Sequence, residues 1–220
     1  MVTCHNEKTW KDVGAVPREY FELRNSRCVV EQGWREGLTS MYGMEWDPFD
    51  TPAATYLAWR EGFGGDCKAG CRLSPTTLPY LLQHRDFRPM CTKIRLPKLP
   101  HVWEMTRLVS SATLSATSHR RALHELVASV FEFGLDGGIR HVLVASTPAI
   151  IDRIFREVGV EVEELGPPVS LRTGPCVAGR FEITAAGLRE VRRRTGLAEP
   201  VLLTKPPRGP EELKRLIRRR

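Results

Sequence analysis

Residues 102–148 read VWEMTRLVSSATLSATSHRRALHELVASVFEFGLDGGIRHVLVASTP. Val102–Ser110, rich in β-branched and aromatic residues, reads as a strand. Leu123, Leu126, Val127, Val130 and Phe131 then recur at i, i+3, i+4, i+7 and i+8. That spacing makes one apolar face of a helix running from about Ser115 to Gly134. His141–Ala145 is a short buried strand. Thr147 followed by Pro148 opens another helix, with a capping hydroxyl and then a proline whose missing N–H is not needed in the first turn. Ile150, Ile151, Ile154, Phe155 and Val158 give that helix its apolar face, and Gly159 ends it.

Upstream, Pro17 opens a helix reaching about Glu31, closed by Gly33. Residues 35–52 are irregular. Thr55–Arg60 and Cys67–Leu73 flank the turn Gly62-Phe63-Gly64-Gly65-Asp66 and read as a hairpin. Thr76–Gln83 is a short helix, and residues 85–101 form a proline-rich loop. Downstream, strands are expected near Val160–Leu165 and Cys176–Ile183. Thr184 caps a last helix over about Ala185–Thr195. A hairpin followed by strands alternating with helices predicts a mixed sheet covered by helices. Residues 1–196 form one domain, and residues 197–220 form a basic, peripheral tail.

The 220 residues are 41% hydrophobic, enough to bury a core. The first 16 residues are polar, and no apolar run approaches the roughly 20 residues of a membrane span. A cytoplasmic protein with no membrane partner is expected. The six cysteines are scattered, which suits reduced thiols. Cys67 and Cys71 suggest zinc, but four residues along a strand cover about 13 Å, too far to share one ion. No metal site is expected. There is no GxGxxG or P-loop for a nucleotide. The net charge of +7 comes from residues 189–220, with 11 basic and 4 acidic residues. Such an end can dock an acidic partner or simply face solvent. No aromatic residue follows Phe181 to stack on bases, which argues against nucleic acid.

Charges crowd among aromatics in the first half: Arg24, Trp34, Glu45-Trp46-Asp47-Pro48-Phe49-Asp50, Arg72-Leu73-Ser74-Pro75-Thr76, Phe87 and Trp103-Glu104-Met105-Thr106-Arg107. Charges within apolar strands need partners. Two readings stay open on this pattern. Arg24, Arg72 and Arg107 form structural ion pairs with Asp47, Asp50 and Glu104, or the group binds a zwitterionic, cationic substrate. In the second reading carboxylates hold an amine and a positive centre while arginines hold a carboxylate. On a regular strand Glu104 and Arg107 would point to opposite faces.

The order Arg24, Trp34, Asp47-x-Phe49-Asp50, Arg72-Leu73-x-Pro75-Thr76, Phe87, Trp103-Glu104-x-x-Arg107 resembles the motif set of LuxI-type acyl-homoserine lactone synthases, over about residues 20–110. The second half is similar in pattern and in its Leu165-Gly166-Pro167-Pro168 turn. Cys28 and Leu108 stand where the family usually has Phe, and Pro48 where it often has Gln. The resemblance implies an acetyltransferase-like (GNAT-like) three-layer α/β/α sandwich around a mixed, mostly antiparallel sheet. It implies acyl transfer from a thioester to the amine of S-adenosylmethionine (SAM), then lactone closure with release of methylthioadenosine, giving a quorum-sensing signal. SAM is a substrate, and no cofactor is implied. Glu104 is the candidate base. Arg24, Trp34, Asp47, Asp50, Arg72, Phe87 and Arg107 are candidate substrate contacts, and Thr147 is expected to border the acyl pocket. The donor is carried by acyl carrier protein (ACP), for which the basic end offers a dock, or else by CoA. The alternatives are another GNAT-like acyltransferase using acyl-CoA and a different amine, against which the missing RxxGxG loop speaks, and a nucleic-acid-binding protein.

Overall fold

The computed structural model describes residues 1–6, 16–34, 39–62, 65–171 and 174–203. Strand β1 (Val2–His5) comes first. Helix α1 (Val16–Arg24) continues as a π-helical turn over Asn25–Glu31, and Gly33 follows with φ 66°. Next are β2 (Thr39–Met41), β3 (Met44–Trp46), β4 (Thr55–Arg60), β5 (Cys67–Pro75) and β6 (Val102–Ser110). Then follow α2 (Ala116–Asp136), β7 (His141–Ser146), α3 (Pro148–Ile154), β8 (Glu163–Glu164), β9 (Val169–Leu171), β10 (Gly174–Glu182), α4 (Ala185–Thr195) and β11 (Leu202–Leu203). Short 3-10 turns span Leu81–Gln83, Arg88–Met90 and Arg156–Val158.

The caps at Thr147 and Thr184 were readable, and the structure adds one at Ser115. Ser115, Thr147 and Thr184 each accept a backbone N–H three residues on, which satisfies an otherwise orphaned helix donor. Other local expectations are corrected. Residues 35–52 contain the β2–β3 hairpin, the short helix at 76–83 is one 3-10 turn, and the strand expected at 160–165 shrinks to β8. Residues 197–203, placed with the tail on sequence, add to the packed body. Val201 is buried, and Glu132 of α2 accepts the N–H groups of Val201 and Leu202. Residues 204–220 lie outside the described residues.

One sheet runs in the order β11-β1-β4-β5-β6-β7-β10-β8, with β9 also on β10. Its pairs are antiparallel except β1–β11 and β6–β7. Alternation along the strands separates two faces. Leu57, Trp59, Cys71, Leu73, Met105, Val142 and Val144 pack against α2, α3 and α4. Tyr56, Ala58 and Cys67 turn the other way, under Tyr20 and Phe21 of α1 and Cys28 of the π-helical turn. Cys67 and Cys71 therefore belong to opposite cores, which removes the zinc pairing. Farther along the α1 face, Leu143, Cys176 and Ala178 lie under the loop that carries Tyr80, Leu82, Met90 and Cys91.

Two irregularities shape that face. The β6–β7 ladder stops at Met105–Val144, although β6 runs on to Ser110. The strands thus part and leave a notch. Between β5 and β6, Arg72 pairs with Thr106 but Gly70 pairs with Val109, so β6 carries one extra residue. Arg107 sits in this bulge with φ 54°. A Cβ on Gly70 would come within 2.7 Å of the Leu57 carbonyl and 2.8 Å of the Tyr20 ring, so this position needs glycine.

Candidate active site

The bulge decides which side chains meet. Before it, Glu104 and Thr106 face the α1 side; after it, Arg107 and Val109 do, as their contacts with Glu45 and with the Tyr20 cluster record. The alternation that a regular strand imposes is broken, so Glu104 and Arg107 share a face.

Arg24, at the end of the α-helical part of α1, donates from Nη1 and Nη2 to the two oxygens of Asp50 at 2.8 Å each. Its Nε donates to Glu45 on β3 at 2.5 Å. Arg72 grips Asp47 through Nη1 and Nη2, at 2.5 and 2.9 Å, and reaches Asp50 at 2.8 Å. The Arg72 Nε donates to Thr106 Oγ1 at 3.1 Å. Arg107 Nη2 lies 2.7 Å from Asp47 and 3.3 Å from Glu45. Three guanidinium groups thus balance three carboxylates. The Arg24, Arg72 and Glu45 side chains are fully buried, and those of Asp47 and Asp50 are 2% exposed. Burial alone would raise the Asp50 carboxyl, but the Arg24 hydrogen bonds and the Arg72 charge hold it well below the usual carboxylate range.

Local sequence presets this arrangement. The Asp50 N–H donates to the Asp47 carbonyl at 3.1 Å, closing a turn in which Pro48 fills the position whose φ proline fixes. The Asp47 N–H reaches Asp50 Oδ2, and the Phe49 N–H reaches Asp47 Oδ1. Pro48 therefore locks the two carboxylates toward the arginines. Trp34 covers Arg107 at 5.6 Å from ring centre to guanidinium carbon, and Phe21 covers Arg24 at 4.9 Å. Cys28 is buried beside these rings, and burial pushes its thiol up to about 11.

Glu45, Asp47 and Asp50 lie close enough together to suggest a metal site, with ligand atoms within 4.8 Å. Their charge is already balanced by Arg24, Arg72 and Arg107, so the donor set does not suit a cation.

Glu104 stands apart from the ion pairs, and Glu45 takes the place that sequence reasoning gave it. Its two oxygens accept the N–H groups of Leu82 and Leu81, each at 2.8 Å. It is 1% exposed. Burial raises its carboxyl to about 7, while those two hydrogen bonds hold the rise back. A buried carboxyl that titrates near neutrality is suited to moving a proton.

Arg24, Trp34, Asp47, Asp50, Arg72 and Arg107 are thus brought together, with Glu104 two residues from Thr106 on the same strand face. Phe87 and Thr147 are elsewhere. Phe87 is half-buried against the apolar cluster of Tyr80, Met90 and Leu143, and Ala145 joins that cluster from the end of β7. Thr147 caps α3 just beyond. Glu45 was missed as a site residue, although it adjoins the Asp47-x-Phe49-Asp50 segment; its partner Arg107 reaches it only through the bulge.

Residues 12–191 match the family model described as autoinducer synthase. A relative from Ralstonia nicotianae, an acyl-homoserine-lactone synthase, is 30% identical over 177 residues, 78% of this chain and 84% of its own. One of the same description from Pseudomonas chlororaphis is 35% identical, over 66% of this chain and 69% of its own. Among solved structures, the CoA-dependent acyl-homoserine lactone synthase BjaI, with SAM and isopentyl-CoA, superposes with a TM-score of 0.81 at 27% identity, covering 98% of this chain and 97% of that one. An N-acetyltransferase described as such from Lactobacillus plantarum, with TM-score 0.53 and 16% identity over 84% of this chain and 98% of its own, shares the fold alone.

Proposed function

The chain belongs to the autoinducer synthase family, and on that premise we propose that its buried charged network and Glu104 carry out acyl-homoserine lactone synthesis. The enzyme is an acyltransferase that joins an acyl group to the amine of SAM. The observation that carries the site assignment is the charge-balanced set of Arg24, Arg72, Arg107, Glu45, Asp47 and Asp50, beside a carboxyl titrating near 7. SAM offers one carboxylate, one amine and one sulfonium. It exchanges partners with such a network without leaving a buried charge alone.

The chemistry follows from these groups. The SAM ammonium is not a nucleophile until it loses a proton, and Glu104 is the base that receives it. The amine nitrogen then attacks the thioester carbonyl, and the thiol leaves. Beyond Met105, β6 has no β7 partner. Its backbone there offers hydrogen bonds to the developing oxyanion. The SAM carboxylate next displaces methylthioadenosine at the γ carbon and closes the lactone. Phe87 and Thr147, beside the apolar loop over β7 and β10, take the acyl chain.

Of the two carriers, CoA is better supported. Arg192 pairs with Glu132, while Arg193 and Arg194 pair with Glu190, so this part of the basic end is largely satisfied within the fold. A groove of about 380 Å3 between α2, α3 and the end of α4 is lined by His119, Arg120, His124, Arg153 and Arg194, with Glu157 as the one acid among the described residues that line it. Its Arg120 and Arg153 offer cationic lining to the phosphates of CoA. The likeness to CoA-dependent BjaI points the same way.

The test is mass spectrometry of the products from purified enzyme with SAM and either acyl-CoA or acyl-ACP. Acyl-homoserine lactone and methylthioadenosine are expected in equal amounts, with the higher kcat/KM on CoA. An acylated product without lactone would instead favour transfer to another amine.

A further inference from the structure

Ser74 stands directly opposite Glu104 in the β5–β6 ladder. Opposed residues of an antiparallel pair carry their Cβ atoms about 5 Å apart on one face. Arg72, two residues earlier, stands opposite Thr106. Arg72, Ser74, Glu104 and Thr106 therefore make one patch on the α1 face of the sheet.

Three of the four are satisfied. Arg72 holds Asp47 and Asp50, Thr106 accepts from Arg72, and Glu104 accepts from Leu81 and Leu82. Ser74 is 5% exposed, and its Oγ has no hydrogen-bond partner among the described residues. A buried hydroxyl left this way is destabilising, because its desolvation is not offset by a hydrogen bond. A bound group that supplies the missing partner offsets that cost.

The position matters because of how Glu104 is covered. Each of its oxygens already takes one backbone N–H from the 3-10 turn at Leu81–Gln83. Each keeps further acceptor capacity. The Ser74 hydroxyl, which is not bonded to Glu104 in the resting structure, is a neighbouring polar group on the same face that can use it.

We propose that Ser74 is a proton relay in the acyl transfer, its Oγ accepting from the attacking amine while its own O–H donates to Glu104. The ammonium proton passes to Ser74 Oγ as the Ser74 proton passes to the Glu104 carboxylate, so Ser74 ends unchanged. The nitrogen lone pair forms the C–N bond, and the C–S bond breaks with its electrons on sulfur. Glu104 gives its proton to that thiolate, and the second proton of the nitrogen leaves to water. The products are an amide, a free thiol and one proton.

This relay rests on the lactone-synthase reading. Ser74→Thr and Ser74→Val have the same shape and differ in the hydroxyl alone, which makes them the comparison to run. Turnover of SAM and one acyl thioester is measured for both and for wild type from pH 6 to 9, with a thermal melt of each. The expected result is a Val variant about a hundredfold or more below the Thr variant in kcat near pH 7, the usual scale of a proton-transfer contribution. The Val variant should melt no lower than the Thr variant, because it lacks the unpartnered hydroxyl, and the gap in kcat should narrow at high pH, where the amine is already neutral. Equal kcat for the two variants overturns the relay, as does a gap that stays constant with pH. Ser74→Ala, read the same way, decides the matter if the added methyl groups prevent folding. A wild type that makes no lactone overturns the synthase reading and the relay with it. Normal wild-type turnover with indifferent variants overturns the relay alone.

Discussion

Tyr20 holds Arg107 in place through the backbone: its hydroxyl donates to the Arg107 carbonyl at 2.6 Å. Arg107 has φ 54°, a region where a side chain other than glycine is strained. The Tyr20 ring packs on Gly70 across the same bulge. This one contact therefore ties α1 to the residue that brings Arg107 onto the network. Tyr20→Phe keeps the ring and removes the hydrogen bond. A loss of about 1 kcal/mol in stability is expected, with a rise in KM for SAM because Arg107 is less firmly held. Unchanged KM and unchanged denaturant midpoint would show that packing alone sets the bulge.

Glu45 sits between two cations, with Arg24 on one oxygen and Arg107 on the other. Glu45→Gln leaves three guanidinium groups facing two carboxylates in a buried place. Breaking a buried pair in this way costs about 3 kcal/mol or more. For a chain of this size that lowers Tm by roughly 6–12 °C. By contrast, Glu22→Gln breaks an exposed pair with Arg18 and should move Tm very little. Thermal melts of the two variants side by side check the contrast.

Glu104 makes a pH prediction with a definite sign. Its carboxyl rises from an ordinary 4.5 to about 7 on burial. The folded state then binds more protons than the unfolded state between those values, so this group makes stability fall as pH rises through that window. Asp50 acts in the opposite sense: its lowered pKa adds stability above the ordinary carboxylate range and loses it in acid. Glu104→Gln should flatten the change of Tm between pH 4.5 and 7. It should also lower kcat by about a hundred- to ten-thousandfold and abolish a rate limb near pH 7. Glutamine has one acceptor oxygen for the two N–H groups of Leu81 and Leu82, so a loss of about 1–3 kcal/mol accompanies it. Full turnover in a folded Glu104→Gln enzyme would remove Glu104 from the proton path.

Elements with a periodic apolar face or a cap could be read directly, and the α2 face and the α4 start at Thr184 are examples. Five of the six network members, Arg24, Asp47, Asp50, Arg72 and Arg107, were readable too, because charges among aromatics need a reason to be there. What stayed hidden depends on pairing. The β2–β3 turn has positive φ at both Tyr42 and Gly43, 55° and 74°, a shape that Asn-Gly usually announces. Tyr42 gives no such signal. The role of Glu45 depends on the Arg107 bulge, and a one-residue bulge leaves no mark in the spacing of side chains. The two residues of β11 become a strand only because β1 and Glu132 are there to receive them.

Thr147 offers the last test, because its hydroxyl has two ends. Its oxygen accepts the Ile150 N–H at 3.4 Å and caps α3. Its hydrogen is not used by that cap and remains able to donate. Capping and substrate contact are therefore compatible on one group. Thr147→Val removes both and keeps the shape. Loss of the cap should cost about 1 kcal/mol. If the O–H also reaches an oxygen on the third acyl carbon, the ratio of kcat/KM for 3-oxo over plain acyl donors should fall. A hydrogen bond worth about 1 kcal/mol corresponds to roughly a fivefold change in that ratio. Thr147→Ser is the control for side-chain shape, since it restores cap and donor together without the methyl group. A lower Tm with an unchanged donor ratio in Thr147→Val would leave Thr147 as a cap only, and the acyl chain would then be read by the apolar loop around Phe87.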